Sequence, residues 1–346
     1  MNAMQNGSLG VIPPHLLNRL IEKGSERQRR CALNTLSLDA RFRSRTERTA
    51  VVVDMRRAAH GEPLRYIFDA HHLMELPGTR VRSEGEAATG DQAVDEAYED
   101  LGATWQFFHE VFGRDAIDNE GGALLGTVHY GEEYQNAFWN GRQMVFGDGD
   151  GEIFLSFTRA LDVVAHELVH GITERESGLV YYNQPGALNE SISDVFGVMV
   201  AQYQSGQCAR EADWSIGRDL LAPGINATGL RSMSDPGSAY DDPLLGQDPQ
   251  PGHMRDFVET NEDNGGVHIN SGIPNRAFYL TATALGGHSW ERAGRIWYAT
   301  LLDDRLANDA EFADFARLAL DNAAALFDNE VQAMVREGWC GVGVAV

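Results

Sequence analysis

Leu161-Asp162-Val163-Val164-Ala165-His166-Glu167-Leu168-Val169-His170-Gly171-Ile172-Thr173 is the stretch on which the reading of this chain turns. Its apolar residues before and after the histidines predict a helix. On a helix, residues four apart project from one side, so His166 and His170 can reach a single metal ion. Glu167 stands beside them, where its carboxylate can take a proton from water activated by that metal.

The surroundings extend the pattern. Nineteen residues after His170, Asn189-Glu190-Ser191-Ile192-Ser193-Asp194 opens a second helical run through Phe196 and Met199. Glu190 offers a third ligand and leaves one tetrahedral position open, as a catalytic zinc requires and a structural one does not. Asp194, one turn further, can accept the spare N–H of a zinc-bound histidine. Further on, Asp263-Asn264-Gly265-Gly266-Val267-His268 sets a carboxylate five residues before a histidine across a Gly-Gly turn. An imidazolium supported in that way would stabilise the oxyanion formed when a carbonyl is attacked.

Around this core the chain is 346 residues long, with 28 basic against 51 acidic side chains and a net charge of −23. That balance excludes a nucleic-acid backbone as a general partner. No apolar run approaches the roughly 20 residues that span a bilayer, so membrane insertion is not expected. Cys31, Cys208 and Cys340 cannot all pair and are read as ordinary thiols. A hydrophobic share of 43% fits a globular protein.

The charge is uneven. Residues 1–50 hold nine basic groups, Lys23 being the only lysine of the chain, against four acids. Their net +5 leaves −28 on the remainder, which suggests a basic segment docked on an acidic body and released more easily at high salt. Pro13-Pro14 leads into a helical pattern with Leu16, Leu17, Leu20 and Ile21, continued by Leu33 and Leu36. One or two short helices with an Arg-rich outer face are expected, followed by an exposed, cleavable link from Asp39 to Ala50. The N-terminus shows no basic region ahead of an apolar stretch, so no secretory signal is read there.

From Val51 the texture changes. Val51–Val53, Leu64–Phe68, Thr79–Arg82 and Leu124–Tyr130 are predicted strands, interrupted by one helix from Gln92 to Phe112. After Asp162 the pattern reads as helical almost to the end. The predicted fold class is α+β: a segment at 1–50, a strand-rich lobe at 51–160 and a helical lobe at 161–346, with the zinc site in the cleft between the lobes. Gly147-Asp148-Gly149-Asp150-Gly151-Glu152 lacks the length of an EF-hand loop and is read as a tight turn. The Trp105 and Phe108 region is read as core.

Together, His166-Glu167-x-x-His170, Glu190, Asn136-Ala137-Phe138-Trp139-Asn140-Gly141 and Gly265-Gly266-Val267-His268-Ile269-Asn270-Ser271-Gly272 resemble the thermolysin family of zinc endopeptidases. The N-terminal Ile12-Pro13-Pro14-His15-Leu16-Leu17 is similar to its protealysin subgroup, whose propeptide blocks the cleft. The resemblance implies a two-lobed metalloprotease in which His166, His170 and Glu190 bind one zinc and Glu167 is general base. It pairs Tyr181 with His268 on the oxyanion, with Asp263 orienting His268. Asn136, Ala137 and Trp139 would pair with an extended substrate, and Arg231 would hold the carbonyl past the scissile bond. Phe154, Phe157, Val163, Ile216, Leu220 and Leu230 would wall the pocket for a bulky hydrophobic residue on the amine side of the cut.

Two departures stand out. Asp162 and Asp213 match the family's calcium cluster, but Ala201, Ser215 and Arg218 stand where carboxylates are needed, and Thr228 replaces an acid at a second calcium loop. Calcium is therefore not expected to matter, since Ca²⁺ wants several oxygen ligands and Arg218 brings a cation. The expected partners are peptide or protein substrates and the chain's own N-terminal segment, on a monomer. The expected location is outside the cell by a route not written in the sequence, or the cytoplasm until release. Competing readings are a zinc aminopeptidase, which would need a group fixing a free amine, and a non-catalytic module with a permanently seated N-terminal segment. The strand edge at Asn136–Gly141 opposes the first, and intact Glu167, Tyr181 and His268 oppose the second. A cut between about Asp39 and Val53 is expected.

Overall fold

A computed structural model describes residues 9–44 and 57–346. Strand β1 is Leu9–Gly10, and Pro13 with Pro14 then starts helix α1, Pro14–Lys23. Proline suits this start because the missing N–H would be unsatisfied there anyway. Leu16, Leu17 and Leu20 form its buried stripe. Helix α2 runs Glu26–Ser44 and so includes Asp39 to Ser44, which the sequence assigns to an exposed link. The reason is burial: Leu38 and Asp39 are covered, and the Tyr134 hydroxyl donates to Asp39 Oδ1 at 2.5 Å. The rest of the expected link, most of the expected cut and the expected strand at Val51–Val53 lie outside the described residues.

A six-stranded sheet follows, built from β2 (Arg65–Asp69), β3 (Thr79–Ser83), β4 (Leu124–Val128), β5 (Ala137–Trp139) and β6 (Met144–Phe146), in the order β1-β5-β6-β4-β2-β3. Strands β2, β4 and β6 run parallel, while β5 is antiparallel to β6 and β1 antiparallel to β5. The N-terminal segment thus supplies the strand that covers β5. Helix α3, Gln92–Phe112, occupies its predicted span because both ends are specified. The Asp91 carboxylate accepts from the amides of Ala93 and Val94, and Gly113 closes the helix at φ 68°. Trp105, Phe107 and Phe108 are buried, as expected of core.

Beyond the sheet, α4 (Leu161–Glu176) and α5 (Asn183–Ser205) form the central helix pair. They approach closely at Gly197, where a Cβ would lie 2.4 Å from the Asp162 carbonyl oxygen. Residues 206–262 correct the expectation of helix nearly to the end. They hold short strand pairs, β7 (Ser215–Ile216) with β8 (Arg231–Ser232) and β9 (Asp241–Asp242) with β10 (Gly246–Gln247), and brief 3₁₀ turns. Trp214, Ile216, Leu220, Leu230 and Met233 are buried there without any helical period, between turns at Gly217, Gly224 and Gly237 that take positive φ. Helices α6 (Asp263–Asn270), α7 (Gly272–Leu285), α8 (Ala293–Leu301), α9 (Phe312–Leu326) and α10 (Asn329–Gly341) complete the chain. Within α6 the backbone turns through left-handed Asp263, Asn264, Gly265 and Gly266 before becoming helical. One apolar cluster joins the N-terminal segment, sheet and helices, so Val11, Ile12, Leu16, Leu17 and Leu20 belong to the same core as Val163 and Phe196.

Among the described residues, no helix is long and apolar enough to cross a membrane. The three cysteines are free thiols, Cys31 buried and the others exposed. The Gly147–Glu152 stretch is a turn, in which Asp150 Oδ1 accepts from the amides of Glu152, Ile153 and Phe154.

Candidate metal centre and cleft

Helix α4 carries His166 and His170 one turn apart, and α5 brings Glu190 against them; all three side chains are fully buried. The two Nε2 atoms lie 3.0 Å apart. Glu190 Oε2 is 3.5 Å from His166 Nε2, and its Oε1 is 3.4 Å from His170 Nε2. Each ring is oriented through its other nitrogen. His166 Nδ1 lies 2.9 Å from Asp194 Oδ1, and His170 Nδ1 lies 2.8 Å from Asn189 Oδ1 and 3.1 Å from Ser193 Oγ. An N–H given to those acceptors places the proton on Nδ1 and leaves both Nε2 lone pairs aimed at one point, beside a carboxylate. Glu190 Oε2 makes no hydrogen bond among the described residues. Buried lone pairs that converge without a proton between them repel unless a cation joins them, so this donor set fits a zinc ion.

Asp194 is itself held on several sides. Arg231 donates from Nε to Oδ2 at 2.8 Å and from Nη2 to Oδ1 at 2.7 Å, and Asn275 Nδ2 donates to Oδ2 at 2.9 Å. Burial alone would favour the neutral acid, but the Arg231 guanidinium and His166 hold Asp194 well below the usual carboxylate range. Burial likewise opposes the charge on Glu190, and His268, His170 and His166 outweigh it, so its pKa is lowered. Burial pushes His170 down to about 4, which keeps its ring neutral, as a ligand must be.

Glu167 is fully buried, and neither carboxylate oxygen has a hydrogen-bond partner among the described residues. Burial and the neighbouring Glu190 charge raise its pKa well above the ordinary range, while backbone groups of Trp139 and Val11 oppose them. Opposite, the Tyr181 hydroxyl donates to Glu190 Oε1 and lies 3.3 Å from His268 Nε2. The α6 turn brings Asp263 onto His268 twice, Oδ1 at 2.6 Å from Nδ1 and Oδ2 accepting from the His268 amide at 2.9 Å. Burial would deprotonate His268, but Asp263 and Glu190 raise it to about 9.

The N-terminal segment runs through this cleft. Leu9 pairs with Trp139 and Gly10 with Phe138, the Val11 amide donates to the Ala137 carbonyl at 3.1 Å, and the Ile12 amide donates to Asn136 Oδ1 at 2.9 Å. The Gly10 carbonyl lies 3.0 Å from His268 Nε2, and the Val11 carbonyl accepts from Arg231 Nη1 at 3.1 Å. Phe154, Phe157, Val163, Ile216, Leu220 and Leu230 are all buried in the apolar cluster that contains Val11. Of the predicted site residues, Asn136, Ala137, Trp139, Arg231 and His268 therefore meet residues 9–12. Sequence reasoning missed Asn189 and Asn275. The first could have been found, since it precedes Glu190 on the same helix; the second has no local signal, reaching Asp194 from 81 residues away.

Arg218 Nε lies 2.8 Å from Asp213 Oδ2, and its Nη2 donates to Ser215 Oγ at 3.3 Å. Asp162 Oδ2 accepts from the Gly217 amide at 2.6 Å.

Comparison with known proteins agrees with this geometry. The sequence model of the thermolysin metallopeptidase catalytic domain matches residues 25–174, and that of the thermolysin metallopeptidase alpha-helical domain matches residues 177–344. The protealysin propeptide model matches residues 9–37. An extracellular metalloprotease of Pectobacterium carotovorum subsp. carotovorum is 58% identical over 97% of this chain and 96% of its own length. Protease PrtS of a Photorhabdus species is 48% identical over 100% of this chain and 95% of its own. The solved precursor of protealysin, a metalloproteinase from Serratia proteamaculans, is 58% identical and superposes with a TM-score of 0.91, covering 97% of this chain and 99% of that one.

Proposed function

The chain belongs to the thermolysin family of metallopeptidases and carries a protealysin-type propeptide, and we propose that its N-terminal segment occupies the cleft as a substrate would. The chain is a metalloendopeptidase in precursor form, with peptides as substrates. The division proposed for it is a propeptide at 1–50, a strand-rich catalytic lobe at 51–160 and a helical catalytic lobe at 161–346. Its work is proposed to lie outside the cell, in keeping with the extracellular relative, and the enzyme to be a monomer.

The contacts of residues 9–12 support the proposed roles of the residues that meet them. A substrate strand replaces β1 on the edge of β5, held through main-chain groups by Asn136, Ala137 and Trp139, which leaves the choice of substrate to its side chains. Arg231, locked by Asp194, holds the carbonyl that the Val11 carbonyl now represents. The apolar wall of Phe154, Phe157, Val163, Ile216, Leu220 and Leu230 favours a bulky hydrophobic residue where Val11 sits. Zinc held by His166, His170 and Glu190 supplies Lewis acidity toward a carbonyl oxygen and lowers the pKa of water from about 15.7 toward 7. Glu167 takes the proton of the attacking water and returns it to the departing amine nitrogen. Tyr181 and His268, with His268 turned by Asp263, donate to the oxygen that gains charge at the position of the Gly10 carbonyl.

The observation that carries this reading is the Gly10 and Val11 carbonyls, each on the side chain meant for a substrate carbonyl. Replacing Glu167 with alanine tests it. The variant should bind zinc as the wild type does yet cleave an internally quenched peptide, blocked at both ends, about 10²–10⁴-fold more slowly. Unchanged cleavage would remove Glu167 from the chemistry. Cleavage only of peptides with a free amine would indicate an aminopeptidase instead.

A further inference from the structure

A second group of metal-ligating side chains lies away from the cleft, where four segments meet at one end of the sheet. Among the described residues, His72, His129 and Asp148 each offer an atom within 4.8 Å of the others. His129 follows β4 and Asp148 lies two residues past β6, so the parallel pairing of those strands sets them side by side. His72 comes from the β2–β3 connection, and its amide donates to the His129 carbonyl at 2.8 Å. We infer that His72, His129 and Asp148 form a second site for a divalent transition-metal ion of the zinc type, distinct from the catalytic centre.

The spacing of these donors suits an ion that takes the place of the proton between His129 and Asp148. Asp148 presents both oxygens to His129 Nδ1, at 2.9 and 3.0 Å, and its Oδ2 is 3.4 Å from His72 Nδ1. Donors around a tetrahedral zinc with bonds of about 2.0–2.1 Å stand roughly 3.3 Å apart, close to these spacings. The other nitrogen of His129 is taken by Asp91, whose oxygens lie 3.2 and 3.3 Å from Nε2. With Asp91 on the far nitrogen, Nε2 can keep its proton while an ion displaces to solvent the proton that Nδ1 shares with Asp148, the arrangement that carboxylates make behind zinc-bound histidines. Both histidines hold left-handed backbone, φ 60° at His72 and 53° at His129, a conformation that costs energy outside glycine. Two imidazoles and one carboxylate suit zinc or a neighbouring transition ion, whereas calcium would want an all-oxygen set. His72 is the exposed member, so the ion can enter from solvent and His72 can adjust around it. Bound there, the ion would tie the β2–β3 connection to the Gly147–Glu152 turn.

The test is metal stoichiometry on the full-length chain. Protein equilibrated with zinc and dialysed against metal-free buffer should hold two zinc ions per chain by elemental analysis. His72→Ala and Asp148→Asn should each hold one, with peptidase activity kept, and Glu190→Gln should also hold one by losing the other ion. His72 is exposed enough that its replacement should leave folding intact, which separates loss of the ion from loss of the fold. One zinc per chain in the wild type, or two in His72→Ala, would overturn the site and leave His129 as a histidine paired to two aspartates.

Discussion

Gly10 and His268 are 258 residues apart in the chain, yet the carbonyl oxygen of the first lies 3.0 Å from Nε2 of the second. With the Val11 carbonyl on Arg231, the propeptide occupies two hydrogen-bonding positions that the proposed chemistry assigns to a substrate. The same two contacts explain how latency and recognition can share one surface. Whatever strengthens the seating of residues 9–12 lowers the activity of the precursor, and whatever loosens it exposes the cleft.

The propeptide should be held mainly by apolar burial. Val11, Ile12, Leu16, Leu17 and Leu20 are nearly or wholly buried, and a fully buried aliphatic side chain contributes about 1.5–3 kcal/mol. Ion pairs such as Arg27 with Glu133 and Glu152 and Arg30 with Glu133 are partly exposed and screened by salt. This revises the expectation from charge alone. We expect Leu17→Ala to raise the activity of freshly prepared precursor at least about tenfold, since such truncations cost about 2–5 kcal/mol, and Arg27→Ala to raise it far less. Equal effects would restore charge as the main tie.

Gly10 offers a sharper probe. A Cβ there would stand 2.5 Å from Asn136 Nδ2, so Gly10→Ala should force β1 off the β5 edge. Precursor activity toward a quenched peptide should rise, while the mature enzyme, lacking the segment, should be unaltered.

Docking should weaken in acid through His15. Its Nε2 lies 2.9 Å from the Tyr240 hydroxyl, and its Nδ1 is buried without a hydrogen bond among the described residues. Burial, aided by His268 and Arg231 and opposed by Asp263, lowers its pKa from 6.5 to about 4. The released segment therefore binds a proton more readily than the docked one. His15 costs docking nothing above pH 6.5, a growing amount as pH falls toward 4, and a constant amount below that, on the order of 3 kcal/mol. Measured on Glu167→Ala to prevent cleavage, protease susceptibility of the segment should rise over that window. The His15→Leu variant should lack that slope.

Zinc affinity should depend on Asp194. Its carboxylate orients His166 while locked by Arg231 and Asn275. We expect Asp194→Asn to weaken zinc binding about 10–100-fold, read by competition with a chelator.

Calcium should matter little. The Arg218 guanidinium lies on Asp213 where the family's calcium cluster would be, and it would repel a second cation. Chelation by EGTA at fixed zinc should leave the thermal midpoint unchanged, and a fall of several degrees would show calcium bound elsewhere.

Much of the catalytic site was legible because its signals are local. His166, Glu167 and His170 share one helical turn, and Glu190 with Asp194 shares another, so the 3.6-residue period alone aligns them. Helix α3 was legible for the same reason, its cap at Asp91 and its stop at Gly113 being written beside it. The stretch from 206 to 262 was misread because its buried apolar residues sit in turns and two-residue strands, where burial has no period to detect. The extent of α2 was misread because Asp39 is polar in sequence, and it is Tyr134 and Asn136, 95 and 97 residues away, that help make it an interior residue.

The sequence by itself brought out His166, His170 and Glu190 as candidate ligands and Glu167 as candidate base, because helical i and i+4 geometry is local, and its motifs together carried the resemblance to the metallopeptidase family. Only the tertiary structure decided which residues meet the ends of that machinery. It put Gly10 on His268, Val11 on Arg231, Asn275 on Asp194, and His72 beside His129 and Asp148. These contacts join segments that no local periodicity relates. They form because folding buries the propeptide and the helices in one apolar core, and each polar group caught there must find a partner.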